Sequence, residues 1–313
     1  MKVDYQGEKS NIIKPFLKWV GGKSQLMNTI VKYIPRKINN YHEIFLGGGS
    51  VLFTLLSLKK RKLIAISGRI FAYDYNKYLI NTFNQLKINY ELLTDKITEI
   101  INEFNSIEIN TDGQRGAPKN INNETYKLTR EHYYYWIRNK FNTKKKEDIN
   151  TAAYFIFLNK TGFRGLYREG PNGLNIPYGL KDKKKIPKII DKEHLKEISN
   201  MIQCVEFINL DFRDSIKRAA KGDFVYLDPP YLPETKKSFV KYNEKGFDKK
   251  SHEDLFVLID FLERKKIKFI MNNSSVDLIV KKFKKYKIEE IVARRAIHSK
   301  NPGETTKEII VSN

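Results

Sequence analysis

Apolar positions along the chain fall into two alternating rhythms. Short, mostly apolar runs bounded by Gly, Asp, Asn, Ser or Pro read as strands. They are Tyr41 to Leu46, Ile70 to Asn76, Val205 to Phe212, Phe224 to Leu227 and Phe269 to Ser275. Among them lie runs with helical spacing: Gln25 to Ile34, stopped by Pro35, Val51 to Leu58, the segment leading to Ala220, Asp254 to Leu262, and Val276 to Tyr286. At the end, Ile288 to His298 and Lys307 to Ser312 flank a polar loop and predict an antiparallel hairpin. The alternation lapses between 81 and 184, where helical spacing over Leu86 to Phe104, Glu131 to Phe141 and Thr151 to Leu158 surrounds a loop rich in Asn, Thr, Gly and Pro from Asn105 to Asn123. The pattern predicts an α/β fold: a doubly wound, mostly parallel sheet with a C-terminal antiparallel hairpin, built from residues 1–80 and 185–313 and interrupted by a mainly helical insertion at 81–184. The aromatic stripe Tyr133-Tyr134-Tyr135-Trp136 reads as core of that insertion.

Composition narrows the partners. Over 313 residues, 58 Lys and Arg oppose 36 Asp and Glu, giving a formal charge of +22 and a sequence pI near 9.7. A polyanion such as DNA or RNA is the natural counterpart of that excess, although lysine-rich composition can also reflect solvated faces alone. A mean hydropathy of −0.53 and a polar start argue against a membrane partner and a signal peptide, so a cytoplasmic setting is expected. Cys204 is the single cysteine, which leaves no disulfide and no Cys cluster for zinc; its apolar neighbours predict a small buried side chain.

Three stretches carry chemistry. The run from Asp223 to Tyr231, DFVYLDPPY, delivers a carboxylate onto two prolines and an aromatic ring. Each proline fixes φ and lacks an N–H, so Asp228 and the Pro229 carbonyl leave the strand side by side in an extended turn. Two acceptors beside a ring face suit a planar ligand with an amino group, such as an unpaired nucleobase; alternatively the prolines simply end a strand. Second, the glycine turn Gly47-Gly48-Gly49 between a strand and a helix, followed by Asp74 at the end of the next strand, is the layout of a nucleoside-containing cofactor site, with Asp74 on a ribose. Trp19 and Lys23 flank a further Gly-Gly pair, which is not a Walker loop because Leu17 stands where the earlier glycine is needed. Third, the Gly-punctuated loop from Asn159 to Gly179 bears Arg164, Arg168 and Asn172, side chains able to read base edges in a DNA groove; a lysine run from Lys181 to Lys188 follows as phosphate anchorage.

Taken in order, PFLKWVGGK from Pro15 to Lys23, FLGGG from Phe45 to Gly49, DYN from Asp74 to Asn76, GFRGLYR from Gly162 to Arg168, NIPYG from Asn175 to Gly179, and DPPY from Asp228 to Tyr231 resemble the Dam-like, GATC-modifying DNA adenine N6-methyltransferases. The resemblance runs from Pro15 to the C-terminus and implies a class I S-adenosylmethionine-dependent methyltransferase fold acting on double-stranded DNA. It places Trp19, Lys23, Phe45, Gly47, Gly49, Asp74, Asp211, Phe212 and Asp228 on the cofactor, and Asp228, Pro229, Pro230 and Tyr231 at the reaction. It assigns DNA contacts to Arg164, Leu166, Arg168, Asn172, Pro177, Lys181, Lys183 and Lys184. No metal is implied; a cognate restriction endonuclease is a possible partner. Ile44 departs from the family's Pro before the Phe-x-Gly turn, and the segments Lys59 to Arg69 and Asn110 to Asn123 differ in length or kind.

The chemistry so implied is direct transfer to a flipped adenine, with Asp228 and the Pro229 carbonyl accepting the N6 hydrogens and Tyr231 stacking on the base. Cys204 follows Gln203 rather than Pro, which disfavours a cytosine-C5 nucleophile. The other readings are a DNA-binding protein that keeps the fold without turnover, and a methyltransferase acting on RNA or protein.

Overall fold

The computed structural model describes residues 12–108, 118, 121–144, 146–180, 188–231, 247–294 and 305–313. In chain order the elements are α1 (Met27–Ile30), β1 (Lys37–Ile38), β2 (Tyr41–Glu43), α2 (Ser50–Lys60), β3 (Ala65–Ile66), β4 (Ile70–Asp74), α3 (Lys77–Ile88), α4 (Tyr90–Ser106), α5 (Arg130–Thr143), α6 (Ile149–Thr161), β5 (Glu169–Gly170), β6 (Gly173–Leu174) and α7 (Lys192–Met201). There follow β7 (Val205–Asn209), α8 (Phe212–Lys217), β8 (Phe224–Leu227), α9 (Lys249–Arg264), β9 (Lys268–Ser274), α10 (Asp277–Lys282), β10 (Lys287–Arg294) and β11 (Thr305–Ser312). The chain divides into two compact units. The first takes residues 1–13, 23–75 and 204–313, the second 14–22 and 76–203.

The first unit holds a seven-stranded sheet in the order β10-β11-β9-β8-β2-β4-β7. Five neighbouring strands, β9, β8, β2, β4 and β7, run parallel, and β11 joins antiparallel to both β9 and β10. All four residues of β8 are buried, which explains why its sequence is apolar without alternation. Val225 and Leu227 pack with Ile44, Phe71, Tyr73, Leu255, Ile259, Phe269, Met271, Ile309 and Val311 in one cluster. Tyr226, between them, points to the opposite face, where its hydroxyl donates to Asn272 Oδ1 at 3.0 Å. Connections between parallel neighbours leave the carboxyl ends of β2, β4 and β8 at one edge, the edge at which open α/β sheets bind ligands.

The second unit is mostly helical. All its helices except α4 begin at side-chain caps: Asn76 accepts from Tyr78 and Leu79 N–H, Thr129 from His132, Asp148 from Thr151 and Asp191 from His194. Tyr133, Tyr134 and Tyr135 are buried as the stripe predicts. The helical run expected from Leu86 to Phe104 breaks at Asn89 into two helices.

Two expectations need correcting. Gln25 to Ile34 is not one helix: a 3-10 turn at Lys23–Gln25, the single turn of α1 and a second 3-10 turn at Val31–Tyr33 share it. The β-branched series Thr29-Ile30-Val31 and the nearby Pro35 disfavour a longer helix. Cys204 is exposed, not buried: it ends a 3-10 turn in which Ile202 takes the inward position. Of the chain's loops, most of 105–123, the lysines Lys181, Lys183 and Lys184, and 232–246 lie outside the described residues. Among the described residues no helix is long and apolar enough to cross a membrane.

Candidate active site

At its carboxyl end, β8 passes into Asp228, whose side chain is 19% exposed, then buried Pro229 and exposed Pro230. Lys23, from the 3-10 turn before α1, is buried and donates to Asp228 Oδ2 at 2.8 Å. The same ammonium lies 4.9 Å from the centroid of the Tyr231 ring. The Tyr231 hydroxyl donates to Glu308 Oε2 on β11 at 2.7 Å. Lys23, expected on the cofactor, thus joins the Asp-Pro-Pro-Tyr turn directly.

Burial pushes the Asp228 carboxyl above the usual aspartate range; the Lys23 cation pulls against that, and the negative Glu308 adds to it. Beneath it, Glu43 at the end of β2 sits beside Tyr226 in the parallel register and accepts from the Tyr41 hydroxyl at 2.8 Å. Burial raises Glu43 to about 8, opposed by the Tyr41 hydrogen bond and reinforced by the charge of Asp228. Burial therefore favours the protonated form of this carboxyl.

The glycine turn begins four residues after Glu43, at Gly47. Gly47 and Gly49 take φ of 50° and 77°, left-handed values that cost a residue with a Cβ, and Gly49 caps α2 without any side-chain oxygen on the helix's first N–H groups. Gly47 N–H donates to Asp74 Oδ2 at 3.0 Å, tying the turn to the end of β4. Phe45 and Phe212 stack with ring centroids 5.7 Å apart, and Phe247 packs on both. Asp211 caps α8 through Arg213 N–H at 2.8 Å and also pairs with the Arg213 guanidinium, which reaches Asp254 at 2.7 Å. The donor set fits an adenosyl group: an aromatic pair for a purine, a strand-end carboxylate for ribose hydroxyls and an uncapped helix start for an anionic end.

In the second unit, Trp19 stacks on Tyr167 at 6.1 Å and lies 6.3 Å from Phe155. Arg164 is exposed and holds a left-handed φ of 56°, with its guanidinium 5.1 Å from the exposed Phe163 ring. Gly165 beside it leaves no room for a Cβ, since Lys18 Cβ would lie 2.4 Å away. Leu166 is half-buried, and Arg168, Asn172 and Pro177 are exposed. Arg168 is braced across the β5–β6 turn, its Nη2 donating to Asn175 O at 2.8 Å.

Glu43, Asn272 and Glu308 are the polar side chains of this sheet edge that sequence reading missed. For Glu43 the acid two residues before a Phe-x-Gly turn was an available signal. Nothing in the sequence near Glu308 links it to a tyrosine 77 residues earlier.

Comparison with known proteins shows the family of the chain. The family model described as D12 class N6 adenine-specific DNA methyltransferase matches residues 19–297. The chain is 33% identical to type II methyltransferase M.MjaIII of Methanocaldococcus jannaschii, covering 92% of this chain and 94% of the relative. It is 34% identical to type II methyltransferase M1.LlaDCHI of Lactococcus lactis subsp. cremoris over 98% of each. A DNA adenine methylase of Haemophilus influenzae is 28% identical, across 94% of this chain and 91% of that one.

Proposed function

The chain belongs to the D12 class of N6 adenine-specific DNA methyltransferases, and from that membership we propose that it is a class I enzyme taking methyl from S-adenosylmethionine to an adenine turned out of duplex DNA, within GATC. When bound, S-adenosylmethionine supplies a methyl activated by its sulfonium. The observation that carries the reading is the position of the Lys23 ammonium, donating to Asp228 at 2.8 Å and set 4.9 Å over the Tyr231 ring. An adenine amino group needs the same two contacts, an acceptor in the base plane and a ring on its face.

On this reading Lys23 gives way as the base enters. Asp228 and the Pro229 carbonyl accept the two N6 hydrogens, which turns the nitrogen lone pair away from the purine ring and leaves it exposed. Asp228 then receives the proton that N6 sheds, while Tyr231 holds the ring plane. Phe45 and Phe212 would lie beside the cofactor adenine, Asp74 would accept from its ribose, and Gly47 and Gly49 would let backbone N–H groups come close. In the second unit, Arg168 and Arg164 read bases, with Leu166, Asn172 and Pro177 lining the contact and Lys181, Lys183 and Lys184 neutralising phosphates.

Two relatives are type II methyltransferases by name, so we extend the reading to a cytoplasmic enzyme that works beside a restriction endonuclease. Transfer of labelled methyl to unmethylated DNA, with modified adenines mapped to their flanking bases, tests donor, base and site together. Label on cytosine or absence of label overturns the reaction; label on adenine outside GATC overturns only the site.

A further inference from the structure

Two prolines fix the backbone ahead of Tyr231, yet they leave the ring free to turn about its own side-chain bonds. Its hydroxyl is held from a strand two places along the sheet from β8. Glu308 lies on β11 opposite Ser274 of β9, and β9 pairs with β8 through Leu227 and Met271, one residue before Asp228. The strand register thus carries a carboxylate to the Tyr231 hydroxyl, where Oε2 accepts at 2.7 Å. A phenol that donates to a carboxylate gains electron density in its ring, and an electron-rich face attracts positive charge. The Lys23 ammonium, 4.9 Å from the ring centroid, already takes that place.

Building on the function proposed above, we infer that Glu308 is a positioning residue of the methyl-transfer reaction: through its hydrogen bond to the Tyr231 hydroxyl it fixes the ring plane on which the adenine stacks and enriches that face for the positive charge that grows on the base. Glu308 itself touches neither base nor cofactor; it acts through Tyr231. Burial, the charge of Asp228 and that of Glu308 all hold the Tyr231 phenol well above its ordinary range, so the hydrogen stays on tyrosine and the charge on glutamate.

The test is a double-mutant cycle of Glu308→Ala and Tyr231→Phe on the full chain, with Glu308→Gln as the conservative variant. Single-turnover methylation should fall by about 10- to 100-fold in Glu308→Ala, the range for a charge-assisted hydrogen bond, with KM for S-adenosylmethionine unchanged. Tyr231→Phe should lose a similar factor, and the double variant no more than either single one. Glu308→Gln, which keeps an acceptor but not the charge, should recover part of the rate. With 2-aminopurine at the adenine that the wild-type chain methylates, wild type should quench the flipped base by stacking, and Glu308→Ala should leave it brighter. Losses that multiply in the double variant, or a Glu308→Ala rate within about twofold of wild type, overturn the inference. The same cycle read as urea midpoints checks the hydrogen bond without activity; coupling there but not in the rate makes Glu308 structural only and also overturns it. A wild-type chain that forms no N6-methyladenine fails the proposed function instead, a result separate from any in the cycle.

Discussion

Strand β8 is flanked by two aspartates, and their surroundings are opposite. Asp223, before the strand, is saturated: Oδ1 accepts from Asn39 Nδ2, Asn40 N and Asn40 Nδ2 at 2.9 to 3.1 Å, and Oδ2 accepts from Ala220 N at 2.9 Å and meets His42 Nε2 at 3.1 Å. Asp228, after the strand, has the Lys23 ammonium on Oδ2 and a tyrosine ring nearby. Burial pushes both carboxyls up. At Asp223 the Ala220 and Asn40 N–H groups and His42 outweigh it, so its acidity ends below the ordinary range; at Asp228 they are lacking, and it ends above. Five donors that cannot leave make an acid into a joint of the fold. At Asp228 the partners are side chains, the Lys23 ammonium and Tyr231, which on the proposed reading can be exchanged for a substrate.

The sharpest test of that contrast exchanges the two losses. Asp228→Ala should lower the methylation rate by about 100- to 10,000-fold while S-adenosylmethionine binding, measured by calorimetry, stays near wild type. Substantial N6-methyladenine from this variant breaks the assignment. Asp223→Ala should do the reverse, costing about 3 kcal/mol in urea unfolding because buried donors lose their acceptor, with the rate per folded molecule retained at low temperature. Equal damage to both properties in both variants would erase the distinction.

Smaller effects concern pH. Asp228 must be ionised to accept the N6 hydrogens, so the acid limb of kcat/KM should lie above the ordinary aspartate range, and Lys23→Met should move it higher still by removing the cation that favours the charged form. A limb that moves to lower pH contradicts the pairing. For stability, Asp223 has a depressed folded value: its contribution is present above the unfolded carboxylate range and disappears as pH falls through the folded one. Glu43, raised to about 8, has the opposite sign, since the folded state holds its proton more tightly than the unfolded state. Wild-type stability should therefore decline as pH rises from the ordinary glutamate range to about 8 and level off beyond, and Glu43→Gln should remove that slope. Denaturant midpoints across the range would show it.

Much of the arrangement was legible from local pattern. Continuous apolar runs marked β4, β8 and β9 because a parallel strand buried on both faces needs no polar side; glycines marked the turn before α2 because Gly47 and Gly49 hold positive φ; two prolines marked the end of β8. What misled was equally physical. Cys204 sits among apolar neighbours, yet the 3-10 turn sends Ile202 inward and the thiol outward. The spacing of Gln25 to Ile34 is helical, but three β-branched residues break the run.

The sequence by itself determined the elements, their alternation and the chemistry carried by Asp228 to Tyr231, because propensity, turn geometry and side-chain type act over a few residues. Only the tertiary structure decided the partners: Lys23 on Asp228, Glu308 on Tyr231, and His42 with Asn39 and Asn40 on Asp223. Strand order and register bring Glu308 to Tyr231, and the packing of the 3-10 turn brings Lys23 to Asp228, 205 positions away; no local pattern encodes the choice between a locked acid and an available one.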